Sequence, residues 1–235
     1  MARITRKELK TDKFALEVEH GLTFFEEHQK EIYRYGGIAL ALVAVYFLVA
    51  YYERRQHTGR EAALGRALQI EETSVAPSAA GATTATSFPT QQVKDDVALK
   101  AFNEVKTKYS GSDEGEIAEY WIGSIRSDQG NLAEAEKSLK EVAQKGDDRY
   151  ASLAKLSLSQ VYFAEGKMDD GRKVLEDLIA HPTLFVSKDQ ATIALARALI
   201  ATKPEEARKL LEPLRTRGDS VAQVALTLYG QLPAK

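Results

Sequence analysis

From Lys94 to the end of the chain, apolar positions recur three and four residues apart. The recurrence breaks at residues 109–113, at Gly130 and Asn131, at 146–148, at Gly166 and Lys167, at His181 and Pro182, at Lys203 and Pro204, and at Gly218 and Asp219. Such spacing puts apolar side chains on one face of a helix. The breaks divide the segment into helices of about 12–16 residues, an ordinary length for an all-α domain. No alternating run long enough to mark a strand is present. Earlier in the chain the pattern differs. Residues 35–52, YGGIALALVAVYFLVAYY, form an 18-residue run without a charge. At about 1.5 Å per residue, a helix of that length covers roughly 27 Å, close to the ~30 Å of a bilayer's hydrocarbon core. Every face of it is apolar, whereas a buried helix of a water-soluble domain usually keeps a polar side. Tyr33, Tyr35, Tyr51 and Tyr52 stand at its ends, where membrane interfaces favour tyrosine. Arg34 can snorkel, and Glu53, Arg54 and Arg55 stop the run. A cleavable signal peptide has a shorter apolar core and a small-residue cleavage site. Here 34 residues precede the run, and it ends in Leu-Val-Ala-Tyr-Tyr. The pattern predicts an uncleaved single transmembrane helix over 31–53.

The flanks extend this plan. Residues 1–30 are expected to form an N-terminal tail that is partly an amphipathic helix. Phe14, Val18, Leu22, Phe25 and Ile32 fall near one face, Gly21 interrupts it, and Thr23 with Glu26 fits a capping box. This segment reads either as a surface-lying or partner-docking helix or as a solvated extension of the anchor. Charge does not fix the orientation. The tail holds Arg3, Arg6, Lys7, Lys10, Lys13, Lys30 and Arg34, but close to the run Lys30 and Arg34 face Arg54, Arg55, Arg60 and Arg66. Residues 54–73 read as the first helix of the soluble domain, with Ala62, Ala63, Leu64, Ala67, Leu68 and Ile70 as its apolar positions. Residues 74–93 are expected to be a neutral flexible loop, since 74–92 is rich in Ala, Ser, Thr, Gly and Pro and has little to bury.

Composition narrows the function classes. The formal charge is −2 and no basic block exists, so nucleic-acid binding lacks electrostatic support. With no cysteine, disulfides, thiolate catalysis, cysteine-ligated metals and a lipoprotein anchor all fall away. His20, His28, His57 and His181 are scattered without metal-ligand spacing. The acidic pairs Asp95 with Asp96, Asp147 with Asp148, and Asp169 with Asp170 sit at helix starts or turns, where capping and the helix dipole account for them. No glycine-rich phosphate loop or nucleophile elbow occurs. The expectation is a non-enzymatic protein without a cofactor.

The chain is also self-similar. Gly123, the turn at Gly130 and Asn131, Ala135, Leu139 and Val142 are matched 36 residues later by Ser159, Gly166 and Lys167, Gly171, Leu175 and Leu178. A further 36 residues give Ala207, Leu211 and Leu214, and Ala98, Phe102 and Val105 repeat the second-helix pattern upstream. Small residues at 123/159 and 135/171/207 allow close helix pairing, and glycine at 130/166 permits a tight turn. The series resembles a tetratricopeptide repeat array, whose period is about 34. Arg126 stands where an aromatic is usual, and the third copy lacks the turn glycine. The expected fold is all-α: the single transmembrane helix, then a tetratricopeptide-repeat-like α-solenoid of helical hairpins over 94–235, closed by a C-terminal capping helix. In that register Tyr120, Ser124, Asp128, Gln160, Phe163, Thr192 and Leu199 are candidates for a groove that takes a peptide or unfolded client. Phe163 and Leu199 also have the character of core residues.

Anchor and repeats together resemble the YfgM-like family of bacterial inner-membrane proteins. The resemblance rests on Phe24, Phe25, Glu26 and Lys30 before the span, the glycine-opened apolar run, the exit from Tyr51 to Arg55, and the degenerate repeats. It implies an ancillary subunit of the Sec translocon, with Sec translocon subunits and periplasmic folding factors as partners. It further implies a cytoplasmic N-terminus and a periplasmic, chaperone-like or scaffolding repeat domain. A tether in another envelope-biogenesis or secretion complex is the alternative.

Overall fold

A computed structural model describes residues 29–76, 87–146 and 148–233. The amphipathic positions Phe14 to Phe25 and the Thr23–Glu26 capping box lie outside them, as does 77–86 of the neutral segment. The chain divides into two units, Met1–Gly59 and Arg60–Lys235.

Helix α1, Gln29–Glu72, contributes to both units. Glu53, Arg54 and Arg55 end the apolar run but not the helix, because all three are good helix formers. In the first unit the large apolar side chains of the run, from Tyr33 to Tyr52, are 52–73% exposed. Among the described residues no helix is long and apolar enough to cross a membrane, so the transmembrane helix expected over 31–53 is not shown.

The second unit is a stack of helical hairpins. After the 60–72 part of α1 come α2 (Gln91–Lys108), α3 (Asp113–Asp128), α4 (Leu132–Lys145), α5 (Asp148–Ala164), α6 (Met168–Ala180), α7 (Lys188–Leu199), α8 (Pro204–Arg215) and α9 (Ser220–Gly230). Each packs on the next from α2 onward, and α3 also reaches α5 as α7 reaches α9. A two-residue parallel pair, β1 (Ser74–Val75) with β2 (Ser87–Phe88), lies inside the segment expected to be loop. There α2 begins at Gln91, capped by the Thr90 hydroxyl, which accepts from the Val93 N–H at 3.3 Å.

The turns explain the period. Gly130 and Gly166 have φ of +77° and +76°, a region that costs a residue with a Cβ about 1–2 kcal/mol. Both close the same motif. The Asn131 N–H donates to the Arg126 carbonyl at 2.9 Å, and the Lys167 N–H to that of Tyr162 at 2.8 Å. The third turn manages without glycine: the Lys203 N–H reaches the Leu199 carbonyl at 2.8 Å, and Pro204 opens α8 with φ already set. Small residues sit where helices touch. A Cβ on Gly123 would stand 2.8 Å from Leu139 Cγ, and one on Gly171 would stand 2.5 Å from the Phe163 ring. Ser159, Ala135 and Ala207 are fully buried, as is Ala67 in α1.

Three apolar clusters follow one another along the stack. The first joins Leu64 and Ala67 to Phe102, Val105 and Ile122; the second centres on Leu139, Val142 and Val161; the third runs from Leu175 to Leu232. Repeats of this kind cannot bury their apolar faces alone, so each depends on its neighbours. The last helix is pinned by Tyr229, with the Arg208 and Arg215 guanidinium groups 5.0 and 3.9 Å from its ring centroid.

Ion pairs tie hairpin to hairpin on the surface. The Arg172 guanidinium grips both Glu206 oxygens, joining α6 to α8. Glu136 accepts from Lys140 at 2.5 Å and from Lys167 at 2.8 Å, which together hold its carboxyl at about 2, below the usual 4.5. A carboxylate depressed by folding stabilises the fold above pH ~4.5, and its contribution disappears as pH falls towards 2. Thermal melting from pH 6 to 2 is therefore expected to show a shallower acid loss in Glu136→Gln than in the parent, the two curves converging near pH 2. The effect is modest and fades in salt, because the group faces water. Parallel curves across that range would remove Glu136 as a source of acid sensitivity.

Candidate partner-binding face

Tyr120, Ser124 and Asp128 follow one another in steps of four on α3, so they share one side of the helix over about 12 Å. Tyr120 and Ser124 are half-buried and Asp128 is exposed. Tyr120 packs edge-on against Trp121 at 5.8 Å between centroids, and against Tyr150 at the start of α5 at 5.7 Å. Tyr150 in turn meets Phe185 at 6.0 Å. On the inner side Trp121 stacks on buried Phe102 at 6.0 Å with ring planes 5° apart. An aromatic row thus leads from the first core cluster, across α3 and α5, to the segment between α6 and α7.

That segment is fixed by its own hydrogen bonds. The Thr183 hydroxyl donates to the Ser152 hydroxyl at 2.8 Å and accepts from the Val186 N–H at 3.1 Å. The Thr183 N–H donates to the Val186 carbonyl at 2.9 Å. Ser152 is buried two residues beyond Tyr150, and Val186 is fully buried. Ser187 and Gln190 form a reciprocal capping box that starts α7. Anchored on both sides, the turn holds Phe185 at 39% exposure and Leu184 at 93%.

At the other end of the α3 face stand two carboxylates. Asp95 is buried, its oxygens accepting from Gln91 Nε2 at 2.6 Å and Gln129 Nε2 at 3.3 Å. Asp128 is exposed as a residue, but partial desolvation of its carboxyl, and then the charge of Asp95, push that carboxyl above its usual range. The expectation that Asp95 serves a helix start is corrected: Thr90 is the cap, and Asp95 lies a turn inside α2, bonded to two amides.

The seven candidates divide. Tyr120, Ser124 and Asp128 come together on α3, and Gln160 is exposed on α5. Phe163, Thr192 and Leu199 do not offer an open face. Phe163 lies over Gly171, where the missing Cβ makes room for its ring. Thr192 is buried, with its hydroxyl donating to the Lys188 carbonyl at 2.8 Å, and Leu199 belongs to the third cluster. Missed from the sequence were Trp121, Tyr150 and Phe185. Tyr150 and Phe185 are 35 residues apart, within one of the repeat period, and that was the available signal.

Elsewhere, a cleft between α2, α3 and α4 is lined by charges that neutralise each other, Lys106 with Glu119 and Lys145 with Glu141. Among the described residues no group of side chains could hold a metal ion.

A family model described as a tetratricopeptide repeat-like domain matches residues 23–190. Neither the curated proteins nor the solved structures provide a match. The matched region takes in the apolar run and the hairpins from α2 to α6, with both glycine turns. Spanning well over half of the 235 residues, it agrees with the stacked hairpins and their 36-residue recurrence: the chain belongs to the tetratricopeptide repeat-like domain family.

Proposed function

We propose that this protein is a membrane-anchored protein–protein interaction subunit, ancillary to the Sec translocon, whose repeat domain acts in the periplasm as a chaperone-like scaffold. Membership in a family of protein-interaction modules supports the interaction role. The observation that carries the membrane half is the state of residues 33–52. Thirteen large apolar side chains point out on every side of α1, and each is more than half exposed. A helix apolar all round needs either a protein core or lipid around it, and a cover of protein is absent among the described residues of this unit. The family match begins at residue 23, so it includes this run along with the hairpins. The likeness of the run's flanks to the YfgM-like family supports the translocon assignment and an orientation with the N-terminus in the cytoplasm. Long domains translocate despite flanking positive charge.

Purification of the full-length protein from crosslinked membranes, with mass spectrometry of what accompanies it, tests this reading. Translocon subunits together with a periplasmic folding factor are the expected result. A different envelope complex in their place would transfer the role to a tether in that complex, and recovery only from the soluble fraction would overturn the anchor.

A further inference from the structure

We infer that the turn between α6 and α7 is a second contact of this chain with lipid: Leu184 and Phe185 enter the headgroup boundary of an anionic bilayer, and Lys188 lies among its phosphates. This goes beyond the interaction role and rests on the membrane-anchored reading. Three observations lead here. First, the turn is free of charge and held in shape. Residues 182–187 read PTLFVS. Leu184 is 93% exposed and Phe185 39%, the latter with its ring 6.0 Å from that of Tyr150. The bond from the Thr183 hydroxyl to buried Ser152, together with buried Val186, fixes the backbone that carries them. Order present before contact lowers the entropic cost of making it. Second, almost nothing of the protein stands beside Leu184. A side chain so clear of its surroundings offers no wall for a partner to pack on, and a partner protein would have to supply a whole pocket for it. The acyl boundary of a bilayer closes around such a group without one. Two apolar side chains hold lipid weakly by themselves, but in an anchored chain the second contact is intramolecular, so a weak one suffices.

Third, the charge left over around the turn is positive. Lys188 follows it directly, is exposed, and has no ion-pair partner among the described residues. The described carboxylates nearby are already matched. Asp177 sits between Lys155 at 2.8 Å and His181 at 3.1 Å, and Asp189 is held by Arg217. Arg149, on the facing start of α5, is engaged as well. A free lysine beside an apolar tip complements an anionic surface, where each such cation strengthens adsorption and salt weakens it.

The test exploits the absence of cysteine from the chain, which makes a single introduced thiol the only labelling site. Full-length Leu184→Cys carries an environment-sensitive fluorophore and is reconstituted into vesicles of phosphatidylethanolamine and phosphatidylglycerol, with and without nitroxide-labelled lipid. Thr227→Cys, exposed on α9, carries the same label as the control. The label at 184 is expected to emit further to the blue than the control and to be quenched by the nitroxide, while the control is not. Lys188→Gln in the labelled chain should lower the ratio of quenched to unquenched label about fivefold in these vesicles and leave it unchanged in phosphatidylcholine. Phe185→Ser should lower it in both. Quenching that neither variant alters would reflect the label rather than the turn, and overturns the inference. Protection that grows with protein-to-lipid ratio overturns it too, in favour of a second copy as the cover. Flotation of the same vesicles separates the two levels. If the protein floats with the lipid but the label at 184 is quenched no more than the control, the inference fails while the anchor stands; if the protein does not float, the anchored reading fails with it.

Discussion

Replacing Phe102 with Ala is expected to lower the free energy of unfolding by about 3–5 kcal/mol. Against a total of about 5–15 kcal/mol for a domain, this is the largest loss any single side chain here should produce. Phe102 is fully buried at the centre of the first cluster and joins α2 to Leu64 and Ala67 of α1 and to Ile122 of α3. Its ring also supports one face of Trp121, so truncation removes a stacking partner as well as apolar area. Relaxation cannot easily fill the space, because Ala98 and Ala118 alongside are small and already fully buried. The chain provides its own reporter, since Trp121 is its single tryptophan. In a stack where each repeat leans on its neighbours, a lesion in the first cluster should loosen that end most. Under urea, the Trp121 fluorescence transition of Phe102→Ala should therefore fall further than the far-UV circular dichroism transition, which averages all the hairpins. A loss below 1 kcal/mol, with the two transitions coincident, would show that α2 contributes little to holding the stack.

The hairpins were legible because their signals are local. Gly130 and Gly166 announce a backbone that only glycine adopts cheaply, and both have the positive φ such turns need. Gly123 and Gly171 mark helix contacts too close for a Cβ. Leu139 and Leu175, each four residues beyond a small residue, proved fully buried. The legible part of the candidate face was the α3 row, Tyr120 to Asp128, where one helix's period suffices to bring side chains together. What stayed hidden depends on contacts between elements. Tyr150 and Phe185 meet only because Thr183 reaches back to Ser152, a bond across 31 residues that no periodicity encodes. Phe163, Thr192 and Leu199 were projected onto the face by carrying a fixed period into later repeats. The third repeat departs from the others: its turn lacks glycine, and its position equivalent to Gly123 is Leu195, a large buried residue. Thr192 and Leu199 of that repeat are buried, whereas Phe163, in the second repeat, is held over Gly171. Asp95 likewise resembled a cap in sequence, and only the amides of Gln91 and Gln129 reveal it as a buried acceptor.

Placing two arginines in the apolar run, Val43→Arg with Phe47→Arg, is expected to release the protein from membranes. On the insertion scale each arginine near the centre of a span costs about 2.5–3.5 kcal/mol, and each apolar residue lost forfeits a further ~0.3–0.6. The pair therefore costs about 6–8 kcal/mol, four or more orders of magnitude in partitioning at 1.4 kcal/mol per tenfold. Spaced by four, the two cations lie on one side of the helix, a turn apart and too deep for both to snorkel comfortably to one interface. Alkaline extraction of membranes measures this directly. The parent should stay in the pellet, and the variant should appear in the supernatant. A parent that washes off would sink the anchor, and so would a variant that remains. Misfolding is a separate matter and can be read in the same samples. Among the described residues, every buried residue of the three apolar clusters lies at Leu64 or beyond. Trp121 emission and helical content of the released variant should accordingly match those of the parent in detergent, which would assign the loss to the run itself.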